Sequence, residues 1–83
     1  MKRKEAIIRY LALVGRADRD QIAIYIVASP ITVSTRLTQL KHSGLVHNMK
    51  WSDGSKVWVL TQKGYRRHDY YEYRDKKRRE NGA

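Results

Sequence analysis

The apolar residues of this chain change period once, at Gly44. Before it they recur every three or four residues, and after it they alternate. A chain built this way sets helices first and strands second around one core. Ile7, Leu11 and Val14 share a face, with Ile8 and Tyr10 beside them, which predicts a helix over 2–14 stopped by Gly15. Asp18 and Gln21 have capping-box spacing and start a second, short helix through the apolar run Ile22 to Ala28. By composition alone that run also suits a buried strand. Ser29 is a good N-cap and Pro30 suits the first helical position, where its missing N–H costs nothing. A third helix follows over 30–43, with Val33, Leu37 and Leu40 as its buried stripe.

Beyond Gly44, residues 45–51 and 56–61 read as two strands joined around Asp53-Gly54. A two-residue turn there sets Met49 opposite Trp58 and His47 opposite Leu60. Leu45, Met49, Trp58 and Leu60 are then the core face, with Lys50 and Val57 on the other and His47 near the core. Thr61 reads as an N-cap for a last segment that is helical in part and frayed at its end. The expected organisation is a folded unit at 1–64 and a basic, Tyr-rich tail at 65–83, with every apolar stripe before Gly64.

Charge narrows the partner. The 83 residues carry 18 Lys and Arg against 8 Asp and Glu, a formal charge of +10. Residues 1–64 hold 11 of the basic residues and 4 of the acidic ones, so the excess belongs mostly to the folded part. That points to a polyanion: nucleic acid first, an anionic membrane surface second. With no Cys, disulfides, thiolate zinc sites and thiol catalysis are excluded. No apolar run approaches the ~18 residues of a membrane span, and the N-terminal residues do not read as a signal sequence. His42, His47 and His68 are too irregularly spaced for a metal site. No Ser-His-Asp order, phosphate-cradling loop or pair of buried carboxylates stands out, so neither an enzyme nor a cofactor is expected.

Three helices followed by a hairpin is the order of a winged helix-turn-helix, an α+β fold. The stretch "DQIAIYIVASPITVSTRLTQLKHSGLV" resembles the helix-turn-helix of MarR-like repressors. The likeness lies in Ile22-Ala23 on the second helix, Thr32-Val33-Ser34 opening the third, Leu40, and the step Gly44-Leu45-Val46 into the wing. "DGSKVWVLTQKG" resembles the wing tip and exit of the same group, at Leu60, Thr61 and Gly64. The resemblance implies a DNA-binding transcriptional regulator, with helix 30–43 in the major groove and the 45–61 wing on the backbone or minor groove. Two departures matter. The chain has no expected room for the long terminal helices that form a dimer and a ligand pocket in that group, so no small-molecule effector is expected. The outward middle of the second helix is also apolar, at Ile24 and Tyr25.

From Pro30 to Ser43 there is no acidic residue. Thr32, Thr35, Arg36 and Gln39 line the polar face. Arg36 suits guanine and Gln39 adenine, while Thr side chains meet phosphates or thymine methyls. With Pro30, Ser34 and Lys41 on the same helix, and Lys50, Ser52, Ser55 and Lys56 at the wing, these are the candidate DNA-binding residues. Lys76, Lys77, Arg78 and Arg79 are candidate phosphate contacts in the tail. Ile24, Tyr25, Trp51, Tyr70 and Tyr73 are candidates for a protein interface. The expected partners are double-stranded DNA and a second copy or another protein, with no membrane, in the cytoplasm or on a nucleoid. Two other readings stay open. One is a winged-helix adaptor or inhibitor docking through Ile24, Tyr25 and the wing aromatics; the other is a non-specific DNA- or RNA-coating protein.

Overall fold

Asp18 starts a helix as its spacing predicts. Its Oδ1 accepts from the Gln21 N–H at 2.8 Å, and its own N–H donates to Gln21 Oε1 at 3.0 Å. In the computed structural model, described over residues 2–82, this helix is α2 (Arg19–Ile26). It follows α1 (Arg3–Val14) and precedes α3 (Pro30–His42). Ser29 caps α3 by accepting from the Thr32 N–H at 3.2 Å, with Pro30 at the first position. The hairpin β1 (Val46–Lys50) and β2 (Lys56–Leu60) and the long helix α4 (Gln62–Gly82) complete the order. The chain is a winged helix-turn-helix continued by a helix of 21 residues.

The turn between α2 and α3 is unusual. Ala28 N–H donates to the Ala23 carbonyl at 3.0 Å and Val27 N–H to the Ile24 carbonyl at 3.3 Å, the two bonds of a Schellman closure. The residue in the left-handed conformation, normally Gly, is Val27, with φ of 56°. A β-branched side chain there crowds its own backbone.

The core joins Ile7, Ile8 and Leu11 of α1 to Ile22 and Ala23 of α2 and to Val33, Leu37 and Leu40 of α3. Leu45, Val46, Trp58 and Leu60 close it from the hairpin side. Ala17 adds a single bridge to the free edge of β2, exchanging hydrogen bonds with Trp58 at 3.2 and 2.8 Å. Val14, expected on the buried face of α1, is exposed at its end.

The hairpin register differs by one from the expected one. Val46 pairs with Leu60, Asn48 with Trp58, Met49 with Val57 and Lys50 with Lys56. The loop has three residues, not two: Trp51 N–H bonds the Ser55 carbonyl at 2.9 Å and Gly54 N–H the Trp51 carbonyl at 2.9 Å. Gly54 takes the left-handed conformation (φ 88°), as in a type I turn closed by a bulge. The slip moves Met49 off the core face to join Val57, and leaves His47 exposed opposite Val59. Val46 and Asn48 take the core side with Trp58 and Leu60.

The second correction concerns residues 65–83. The expected boundary at Gly64 falls inside α4, and Tyr71 belongs to the core. Thr61 does cap this helix: its Oγ1 accepts from the Gly64 N–H at 3.1 Å and donates to the Gly44 carbonyl at 2.6 Å. The long C-terminal helix for which no room was expected is therefore present. It packs along α1 through Tyr71 and a cluster of charges. Arg9 bonds Glu5, Glu72 and Asp75, and Arg74 bonds Glu5 and Asp75.

Candidate nucleic-acid interface

The buried stripe of α3 decides which of its residues face out. Val33, Leu37 and Leu40 are buried, so Ile31, Thr35, Thr38 and His42 stand opposite them, one helical face away. All four are exposed. Gln39 flanks this ridge on one side, Ser34 and Lys41 on the other. Thr32 and Arg36 lie further round and are half-buried. Thr32 Oγ1 accepts from Ser29 Oγ at 2.9 Å, within the cap. Arg36 Nη1 donates to Gln39 Oε1 at 3.2 Å, and Arg36 lines an open surface depression with Lys2, Arg3, Lys4, Ile26 and Val27. Of the expected face, the structure thus sets Thr35 and Gln39 outward, ties Thr32 into the cap and leaves Arg36 half-buried on the side that lines a depression with the start of α1.

An open groove separates α3 from the wing. Ser34, Thr38, Lys41 and His42 form one wall, and Asn48, Lys56 and Trp58 the other. Arg19 reaches in from α2 and donates to Ser34 Oγ at 3.3 Å. Asp18 and Asp20 flank only the α2 end of this groove, where Arg19 Nε lies 3.4 Å from Asp20. Lys41 and His42 sit in the last turn of α3, where the helix dipole favours positive charge. Lys63 joins them from α4, its Nζ donating to the Ser43 carbonyl at 2.9 Å.

At the wing, Lys50 and Lys56 face each other across the ladder. Among the described residues neither has a carboxylate partner. Like charges directly opposite destabilise a strand pair. Ser52 and Ser55 are in the loop. Asp53 is turned inward on it: its Oδ1 accepts from Ser55 N at 2.9 Å and Oγ at 2.7 Å, and these bonds hold its carboxyl below the usual range. Trp51 is covered on one face by Arg16, whose guanidinium lies 4.3 Å from the ring centroid.

The other candidates lie apart from this groove. Tyr25 stacks on Tyr10 at 4.2 Å, while Ile24 is 80% exposed. Tyr70 and Tyr73 are exposed on α4. Lys76, Lys77, Arg78 and Arg79 are exposed on its last turns, Arg78 and Arg79 beside Arg9, Glu72 and Asp75 of the α1–α4 cluster. Sequence reasoning missed Ile31, Thr38, His42 and Asn48. The first three were findable: they extend Thr35 at helical spacing opposite the buried stripe. Asn48 was hidden by the register. Among the described residues no group of three His, Asp or Glu side chains is placed to hold a metal ion, and no helix is long and apolar enough to cross a membrane.

Known structures share this architecture. Lactococcus lactis ZitR, as a mutant in apo form, superposes over 95% of this chain with a TM-score of 0.83 at 22% identity. A mutant of S. aureus MepR covers 98% with a TM-score of 0.93 at 16% identity, and another MepR mutant bound to an oligodeoxyribonucleotide covers 98% at 0.87 and 17%. A MarR family transcriptional regulator from Silicibacter pomeroyi covers 90% with a TM-score of 0.85 at 23% identity. This chain spans 61%, 62%, 62% and 51% of those chains, in that order. At these identities the likeness establishes the winged helix-turn-helix fold. No protein-family model and no curated protein matches the sequence.

Proposed function

We propose that this chain is a DNA-binding transcriptional regulator. It sets the outward face of α3 in the major groove and rests the β1–β2 wing on the neighbouring backbone or minor groove. The observation that carries this reading is the lysine pair Lys50–Lys56, opposed across the wing without a carboxylate partner among the described residues, beside a helix with no acid from Pro30 to Ser43. An arrangement that costs the free protein stability is relieved when phosphates lie against it. A MepR mutant with the same fold was captured on an oligodeoxyribonucleotide, which supports DNA as the partner.

In this reading Thr35, Gln39 and the groove residues Ser34 and Lys41 meet base edges or the nearer phosphates. Pro30 and Thr32 pre-shape the entry of the helix. Lys50, Lys56, Ser52 and Ser55 hold the wing on the backbone. Arg36 serves as a phosphate contact with Lys2, Arg3 and Lys4, since it lines one open surface depression with them. Lys76, Lys77, Arg78 and Arg79 add charge without sequence choice. A single module of this kind covers about 600–1,000 Å² on DNA, so two copies on a repeated site would strengthen a weak contact. The adaptor reading is less favoured, because Tyr25 and Trp51 already use a ring face inside the fold, on Tyr10 and under Arg16.

The test is titration of the full chain against random and genomic duplexes at two salt concentrations. Binding should weaken steeply with salt, and Lys50→Ala and Lys56→Ala should each flatten the log–log slope by roughly 0.9. A protein that ignores duplex at low salt is not a DNA-binding regulator.

A further inference from the structure

The outward ridge of α3 is largely made of methyl groups. Ile31 is 79% exposed in its first turn. Thr35 Oγ1 donates to the Ile31 carbonyl at 3.2 Å, and Thr38 Oγ1 donates to the Ser34 carbonyl at 3.0 Å. Both hydroxyl hydrogens are thereby committed to the helix backbone. What each threonine has left for a partner is its γ-methyl and an oxygen that can only accept. Three successive positions of the ridge therefore present methyls. The flanks differ: Arg36 and Gln39 stand on one side, Ser34 and Lys41 on the other.

A surface that is apolar along its centre and cationic at its edges fits a partner with the inverse pattern. The major groove of thymine-bearing duplex has that pattern. Phosphates run along both rims, and each thymine projects its C5-methyl from the floor. The early residues of a recognition helix are also those that reach base edges, and Ile31 is the second residue of α3. The fork expected to read guanine is displaced: Arg36 lies off the ridge and is bonded to Gln39 at 3.2 Å.

Resting on the DNA-binding reading above, we infer that α3 recognises thymine by its C5-methyl, with Ile31 making the first contact and the Thr35 and Thr38 methyls the next two. Cytosine and uracil present no methyl at that place, so the ridge prefers A·T pairs with the thymine on the strand it faces.

The experiment selects duplexes from a random-sequence pool with the full chain, then resynthesises the enriched duplex with deoxyuridine in place of thymine, one position at a time. Uracil keeps the Watson–Crick pair and lacks only the methyl. Each contacted position should lose about fourfold in affinity, the factor expected from uncovering one methyl-sized group. In the Ile31→Ala variant, the thymine-to-uracil ratio at one position should fall to near one, with the melting temperature unchanged because Ile31 is exposed. Ile31→Val should keep most of the ratio. Tight binding to the enriched duplex with equal affinity for its uracil versions overturns methyl recognition and leaves DNA binding standing. An Ile31→Ala variant that retains the full ratio at every position overturns the role of Ile31. Failure to enrich or bind any duplex overturns this inference together with the function it rests on.

Discussion

Arg74 Nη2 donates to both carboxylate oxygens of Glu5, each at 2.9 Å, across 69 positions of sequence. The Glu5 side chain is only 12% exposed. Arg9, one turn along α1, bonds the same carboxylate at 3.2 Å and reaches Asp75 at 2.5 Å. Beneath them lies Tyr71, with the two guanidinium carbons 5.6 and 5.2 Å from its ring centroid. Charge pairs on a protein surface contribute little singly. Here they close over a buried aromatic ring, so α1 and α4 are held as one unit.

Tyr71→Ala is therefore expected to destabilise the domain by about 3 kcal/mol, in the range for losing a buried aromatic ring. For a chain of this size that lowers the melting temperature by roughly 10 °C or more. Truncation after Gly64 should do at least as much. Thermal unfolding followed by circular dichroism checks both. An unchanged melting temperature would mean that α4 is not part of the cooperative unit.

The same cluster sets the acid response. For Glu5 and Asp75 burial pushes the carboxyl up, but hydrogen bonds and charge from Arg74 and Arg9 outweigh it and hold both below their ordinary values. A carboxylate whose folded value is depressed stabilises the fold fully above its unfolded value, near pH 4, and loses that contribution as pH falls through the folded value. The melting temperature should thus drop as pH is lowered below about 4. Glu5→Gln should melt lower at pH 7 and respond less to acid. A variant with the wild-type acid profile would show that Glu5 carries none of it.

Val27 stands at φ 56° with 89% of its surface exposed, so it combines backbone strain with little packing. Val27→Gly should stabilise the protein by about 1 kcal/mol, since the left-handed conformation costs an L-residue roughly that much. A raised melting point with an unchanged fold is the expected result; a lowered one would mean that Val27 makes contacts worth more than its strain.

Gly64 is required for a different reason. A Cβ built there would stand 2.1 Å from the Leu45 carbonyl oxygen. The first turn of α4 sits directly on the entry to β1, where Thr61 N–H also bonds that carbonyl at 3.0 Å. Gly64→Ala should cost about 2 kcal/mol or more, because the obstructing atom is backbone and cannot swing aside. Denaturant unfolding reads this directly, and a neutral result would mean that α4 can shift without loss.

The helix boundaries were legible because they are written in local chemistry: the Asp18–Gln21 box, Ser29-Pro30, and Thr61 as a cap. The hairpin existed where alternation placed it, but its register turned on whether Gly54 is the second or third loop residue, and Asp53-Gly54 suits both. The docking of α4 was hidden for a clearer reason. Its inward positions are Gly64, His68, Tyr71 and Asp75, which keep helical spacing without one aliphatic residue. A search for apolar periodicity passes over such a face; the complementary charges of Glu5 and Arg9 were the available sign. On α3 the expected face Thr32, Thr35, Arg36 and Gln39 is rotated to one side of the outward ridge, which runs through Ile31, Thr35, Thr38 and His42 opposite the buried stripe.

Amide chemical-shift mapping of the labelled full chain, titrated with a duplex that it retains, tests the placement of that ridge most directly. The largest changes should fall on residues 31–42 of α3 and 50–56 of the wing, while the α1–α4 cluster around Glu5 and Tyr71 stays still. Changes confined to α4, or centred on Ile24 and Tyr25 with α3 silent, would contradict it.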